Sequence, residues 1–341
     1  MAGRALAFSD PNNVALVKER FVGVLGDEWY TRRRDDAEGR FFQRLVAQGP
    51  RQYNPVTQGT VQGIYVATAG GKLLGFAYGD VAPGELNKIL AQALETFARL
   101  PDSERRPEAS TLDEAGGEDG RFVRNPPEGG LILSVHTRLL DVDENGNVER
   151  PGKTCLLNGD APAAAQPDRM WLTKSEWQSL VPSSPHVGRA VPVNAAIVRR
   201  LARFHLIDNT RGEMPAWETT EVQLAQVSAV VEVATASETQ LRLEGSFVMS
   251  RPAQAKDAGR SFAVRLIGRI HYDGVNHRID QFDMVAMGEH RGNGPHMAAL
   301  PPGPHVVGIA FEQMDESEPF ARIPPHGARH LEDYWGGPPS P

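Results

Sequence analysis

Apolar positions along this chain follow a helical period in its first hundred residues and a two-residue period after Trp217. Leu86, Ile89, Leu90, Ala93, Leu94 and Phe97 recur at three- and four-residue steps and predict a helix over 85–100. An earlier helix is announced by Asp10 as N-cap and Pro11 at the first helical position. The apolar run Phe21–Leu25 then reads as a strand, and a second helix is expected over 35–48 with Phe41, Phe42 and Leu45 inward. Residues 63–68 and 72–78, separated by Gly70-Gly71, predict a hairpin. Far along the chain, Phe262, Val264, Leu266 and Ile270 alternate with Ala263, Arg265, Ile267 and Arg269, the signature of a sheet buried on one face. Similar alternation over 131–142, 222–233, 241–249, 279–285 and 306–312 predicts an antiparallel meander of five or six long strands. Within it, Thr173-x-x-Glu176 is a capping box opening a short helix near 173–181, and a further helix is expected near 192–204, starting at Pro192. The fold class is therefore α+β: an N-terminal α/β domain over 1–100, then an antiparallel β-rich domain over 131–335 with a short helical insert.

Between these parts, residues 101–130 set eight acids against four arginines with only Leu112, Phe122 and Val123 as large apolar groups, which predicts a flexible acidic linker. The tail, 336–341, is Gly, Pro and Ser and is expected to be disordered. The full chain has 341 residues, of which 40% are hydrophobic, enough for two cores, and carries a formal charge of −7. That balance excludes a broad field for nucleic acid, and no apolar segment reaches the roughly 20 residues a membrane-spanning helix needs. Met1–Leu6 contain no apolar leader core, which leaves two compartments: cytoplasmic if Met1 is the native start, exported if a leader has been removed. The one cysteine, Cys155, allows no internal disulfide and no Cys-x-x-Cys, and no charged neighbour activates it.

In its first hundred residues the chain resembles the thioredoxin-like superfamily. The resemblance is carried by Phe8-Ser9-Asp10-Pro11 with its helix, by Phe21-Val22-Gly23-Val24, and by Gly63–Gly75 ahead of the 85–100 helix. It implies a central strand at Phe21–Leu25 and a strand–turn–strand–helix closing the domain. Two of the family's redox elements are missing. No cysteine precedes Cys155, and Val61-Gln62 stands where the family places a cis-proline. The resemblance then implies a degenerate, non-redox module serving binding, docking or assembly.

Two groups of residues carry candidate chemistry in the second part. His205, Asp208, Arg211 and Glu213 crowd the end of a helix, where His205 could act as general base and Arg211 could hold an anion; a helix C-cap accounts for the same residues. Seven of the ten histidines fall between 271 and 330, and His271, His277, His290 and His296 are the candidate ligands for a divalent transition metal such as zinc, copper or iron. Ser134, His136 and Asp141 have triad residue types, but alternation puts Asp141 on the opposite face. Trp171, Trp177 and Trp217 read as core anchors. Two functions are compatible with this inventory. One is a non-redox binding or assembly protein whose β-domain takes a small ligand or a protein partner. The other is a metal-dependent hydrolytic or oxidative enzyme using the C-terminal histidines. Substrate, oligomeric state and compartment are not encoded in any motif.

Overall fold

Asp10 caps the first helix α1 (Pro11–Arg20) by accepting the N–H groups of Asn12 and Asn13, and Pro11 occupies the first turn, where its missing N–H costs nothing. The computed structural model describes residues 7–8, 10–50, 60–79, 81–106, 117–145, 147–149, 164–210, 212, 214–253, 259–292 and 304–336. The chain divides into two compact units, Met1–Arg124 and Asn125–Pro341.

In the first unit, α1 is followed by α2 (Glu28–Thr31), α3 (Ala37–Gln48), the antiparallel pair β1 (Ile64–Ala67) and β2 (Leu73–Ala77), α4 (Pro83–Ala98) and α5 (Asp102–Arg105). Its core is small: Ala7, Val66, Ala77, Leu86, Leu90 and Ala93. Buried Asn13 ties the unit together, donating to the carbonyls of Ala7 and Pro83 and accepting from Asn87. The strand expected at Phe21–Leu25 does not form. Val22, Val24 and Leu25 are 92%, 87% and 78% exposed, and among the described residues no neighbouring strand supplies the ladder that an apolar run needs to become sheet. The acidic stretch is not linker throughout. Asp119 accepts the N–H of Asp35 and donates its own N–H to Asp36, the N-cap of α3. Burial works against the Asp36 carboxylate, but Arg34 and the N–H groups of Asp119 and Gly39 bring its pKa down to about 2.

The second unit is an antiparallel sheet in the order β4–β3–β11–β10–β9–β8–β7–β6, with β5 pairing the start of β3 on the same edge as β4. Its strands are β3 (Leu131–Val142), β4 (Val148–Glu149), β5 (Asp168–Leu172), β6 (Ala190–Pro192), β7 (Val222–Ala234), β8 (Glu238–Arg251), β9 (Arg260–Asp273), β10 (Arg278–Gly292) and β11 (His305–Met314). The expected meander is β7 through β11, and β3 joins it beside β11. Alternate residues line one buried face: Leu241, Leu243, Phe247, Met249, Phe262, Val264, Leu266, Phe282, Met284, Ile309 and Phe311. Helices α6 (Lys174–Leu180) and α7 (Ala195–Arg200), the latter running into a π-turn at Leu201–His205, contribute Trp177, Leu180, Ile197 and Leu201 to the same core. The capping box at Thr173 and Glu176 forms as predicted, whereas Pro192 ends β6 and Asn194 caps the helix that was expected to start there. A second cluster, including Ile132, Trp171, Phe204 and Tyr334, receives the short helix α8 (Leu331–Trp335).

Candidate functional site

Three buried arginines fasten the irregular segments of the second unit to its sheet. Arg200 sits in α7, fully buried. Its guanidinium forks onto Glu176 at 2.6 and 2.9 Å, and it also donates to the carbonyls of Trp171 and Tyr334. Arg203 forks onto Asp333 and donates to the Trp217 carbonyl at 2.7 Å. Arg260 in β9 lies over the Trp217 ring, 3.9 Å from its centroid, and donates to the carbonyls of Pro215 and Ala216. The segment carrying the candidate residues His205 and Asp208 is thereby held at both ends.

His205 is buried in the π-turn. Its Nε2 lies 3.1 Å from the Tyr334 hydroxyl, and its Nδ1 lies 3.5 Å from Asp168. The Tyr334 oxygen also accepts the N–H of Trp171 at 3.1 Å, so the phenol lies between that backbone donor and His205. Burial lowers the His205 pKa more than Asp168 raises it, which keeps the ring neutral. Burial would lift Asp168, but the facing His205 and the N–H of His326, at 2.8 Å, hold it below the ordinary carboxylate range. Burial keeps the Tyr334 phenol protonated. Asp168 and Tyr334 were not singled out from the sequence: Tyr334 lies 129 positions from His205, Asp168 stands in a separate strand, and only the packing of β5 and α8 brings them together. The arrangement has the order of a carboxylate–imidazole–hydroxyl relay, but the imidazole and the hydroxyl are buried, only Asp168 is partly accessible, and a phenol stands at its end.

Asp208, three residues on, has different neighbours. It accepts from the Thr210 N–H and hydroxyl, and its other oxygen lies 3.9 Å from Nδ1 of the fully buried His290. Arg211 and Glu213 lie outside the described residues, as do Cys155 and His296.

The candidate metal ligands do not share a location. His271 is on the outer face of the sheet, where its two ring nitrogens face Asp280 of β10 and Glu238 of β8; the Asp280 contact comes first in raising its pKa, with Glu238 adding to it. His277 is in the β9–β10 turn, with Nδ1 3.3 Å from the Tyr272 hydroxyl. His290 stands near the opposite end of β10, about 40 Å away along the strand at roughly 3.3 Å per residue. Among the described residues no three His, Cys, Asp or Glu side chains converge as a metal cluster. Ser134 Oγ does reach His136 Nε2 at 2.9 Å on the outer face of β3.

An open groove of about 550 Å³ lies at one end of the sheet, between the end of α6 and the turns joining β7 to β8 and β9 to β10. Trp177, Pro182 and Pro185 form one wall, and Thr235, Glu238, Thr239, Tyr272 and His277 are on the other. Trp177 is fixed by its indole N–H, which donates to the Gly129 carbonyl at 2.9 Å. His277 has φ 52, the one non-glycine residue with positive φ among those described, in a turn position where glycine or asparagine is the ordinary choice. Trp177 is the core anchor the sequence predicts and also borders the groove, while His277, a candidate metal ligand in the sequence, lies in the turn on its other side.

Compared with known proteins, the chain matches no family model, no curated protein and no solved structure. Among the described residues no helix is long and apolar enough to cross a membrane.

Proposed function

We propose that this is a non-redox binding protein whose β-domain takes a small ligand or a segment of a partner in the groove beside Trp177. The observation that carries this reading is where accessibility and chemistry fall. The residues with catalytic character, His205 and Asp208, are interior and committed to Asp168, Tyr334 and Thr210, whereas the accessible concavity is lined by aromatic, proline and hydroxyl groups. Such a lining suits recognition through apolar contact and a few hydrogen bonds. Among the described lining residues Glu238, Tyr272 and His277 are titratable and none is arginine or lysine, which favours neutral or cationic ligands over anionic ones. The N-terminal unit is a thioredoxin-like module without redox chemistry in this reading, serving assembly, and its support is the absence of any cysteine before Cys155. The metal-dependent alternative gains nothing from the positions of His271, His277 and His290.

The test is a screen of neutral and cationic organic fragments against the full chain, read by amide and indole chemical shifts. Binders should move the Trp177 indole and the Thr239 and Gly274 amides. His277→Gly, in the exposed turn, should abolish those shifts while stability stays within about 1 kcal/mol, and Tyr272→Phe, which keeps the core packing of the ring, should weaken them. Shifts scattered over the surface, or binders unaffected by both substitutions, would remove the groove from consideration.

A further inference from the structure

The outer face of the long sheet carries an ordered pattern of charge. Residues directly opposite one another on neighbouring strands share a face, so the register arranges the outer side chains in rows. One row reads Arg242 on β8, Arg269 on β9, Asp283 on β10 and Glu312 on β11. Two cations therefore occupy one half of the row and two anions the other. Arg242 is paired within the sheet, with Glu232 at 2.9 Å and with Glu244, and Asp283 accepts from Gln281 at 2.6 Å. Although Arg269 and Asp283 are cross-strand neighbours, no ion pair between them is among the described contacts. The next row sets Ile267 beside Val285, and Met287 follows on β10. These three are 64%, 49% and 40% exposed, and large apolar side chains grouped in the open in this way mark an interaction surface.

We propose that this face packs, sheet on sheet, against the same face of a second copy of the chain, about a two-fold axis lying along the strands between β9 and β10. Turning about that axis exchanges β9 with β10 and β8 with β11, and keeps each row level with itself. Arg269 then faces the partner's Asp283, and Arg242 faces the partner's Glu312. Ile267 faces the partner's Val285, and further along the strands Val248 faces the partner's Val306. Each contact occurs twice, as in any isologous interface. No like charges meet, since Glu244 falls opposite Ala310 and Glu289 opposite Ala263. The charge pattern selects the occupant. A partner must bring anions over β8 and β9, cations over β10 and β11, and apolar groups in the next row. This chain, turned over, presents that arrangement. Two sheets packed face to face hold their strands within about 30° of each other at about 10 Å, a gap that side chains of this length fill from both sides. Four rows across β7 to β11 cover about 24 by 27 Å before side-chain relief is added, of the order of the roughly 800 Å² that each half of a stable complex buries.

The test uses the full chain and sedimentation equilibrium over a concentration series, with far-ultraviolet spectra to show that each variant keeps its sheet. Wild type should be a dimer. Arg269→Glu and Asp283→Arg each set like charges against one another at two places across the axis, and each should weaken the dimer at least about 10-fold. The two substitutions combined in one chain restore opposite charges across the axis and should return the dimer close to its wild-type strength. Ile267→Asn removes the central apolar contact and should weaken the dimer while the exposed position leaves the fold's stability within about 0.5 kcal/mol. A monomeric wild type overturns the proposal, including one whose sheet face takes up a different protein. A dimer indifferent to the single charge reversals overturns it as well, and so does one that they weaken but that the combined variant does not recover.

Discussion

Replacing Arg200 by methionine tests whether the buried ion pair at the end of α7 holds the second unit together. Methionine keeps much of the side-chain volume but leaves the Glu176 carboxylate with the Thr173 N–H as its remaining described donor, and leaves two carbonyls, those of Trp171 and Tyr334, without the guanidinium. Removing one member of a buried pair in this way costs about 3–5 kcal/mol. For a unit of this size that corresponds to a fall in Tm of about 6–20 °C. The pH dependence makes the diagnosis specific. In the wild type burial pushes the Glu176 pKa up, but Arg200 and Thr173 together bring it below the ordinary value, so this contribution to stability is present above about pH 4.3 and is lost as pH falls through the folded-state pKa. In Arg200→Met burial goes uncompensated and the Glu176 pKa rises above its unfolded value. The variant then recovers relative to wild type as pH falls from 7 toward about 4.5. Urea denaturation followed by the fluorescence of Trp171, Trp177 and Trp217 measures both quantities. A deficit under about 1 kcal/mol, or one that does not shrink on acidification, refutes the role assigned to the pair.

His271 bridges Asp280 and Glu238, and these partners raise its pKa, so its contribution to stability is complete below about pH 6.5 and disappears as pH rises through the folded-state value. Because the site is partly solvated the contribution should stay below about 1 kcal/mol, and Glu238→Gln should lower the His271 pKa measured by NMR. Gly288 lies where a Cβ would stand 1.8 Å from the Ala263 carbonyl oxygen of the neighbouring strand, so Gly288→Ala must displace backbone. It should cost at least about 3 kcal/mol in thermal denaturation, and a neutral result would show that the β9–β10 register differs. Asp10→Ala should destabilise the first unit by about 1 kcal/mol through loss of the α1 cap.

The sequence by itself determined the elements whose stabilisation is local or strictly periodic. The Asp10-Pro11 start, the capping box at Thr173 and Glu176, and the alternation along β8, β9 and β10 are present as predicted, because each is specified within a few residues or by the need to bury one face. The antiparallel α+β organisation followed from the same signals. Phe21–Leu25 shows the limit: an apolar run has strand character, but becoming a strand depends on a neighbour that sequence distant along the chain must supply. Within the acidic stretch Asp119 finds its partners at Asp35 and Asp36, more than eighty positions away, which no local pattern announces.

Only the tertiary structure decided the site. His205 and Asp208 are three residues apart and looked like one constellation, yet packing sends one to Asp168 and Tyr334 and the other toward Thr210 and His290. The histidines that looked like a cluster in the numbering are spread along a hairpin, because an extended strand separates by length what sequence counts as near. The groove is assembled from α6 and two turns that close spacing never linked. Chemistry here depends on long-range convergence, and a single chain's residue pattern encodes that only through the fold it produces.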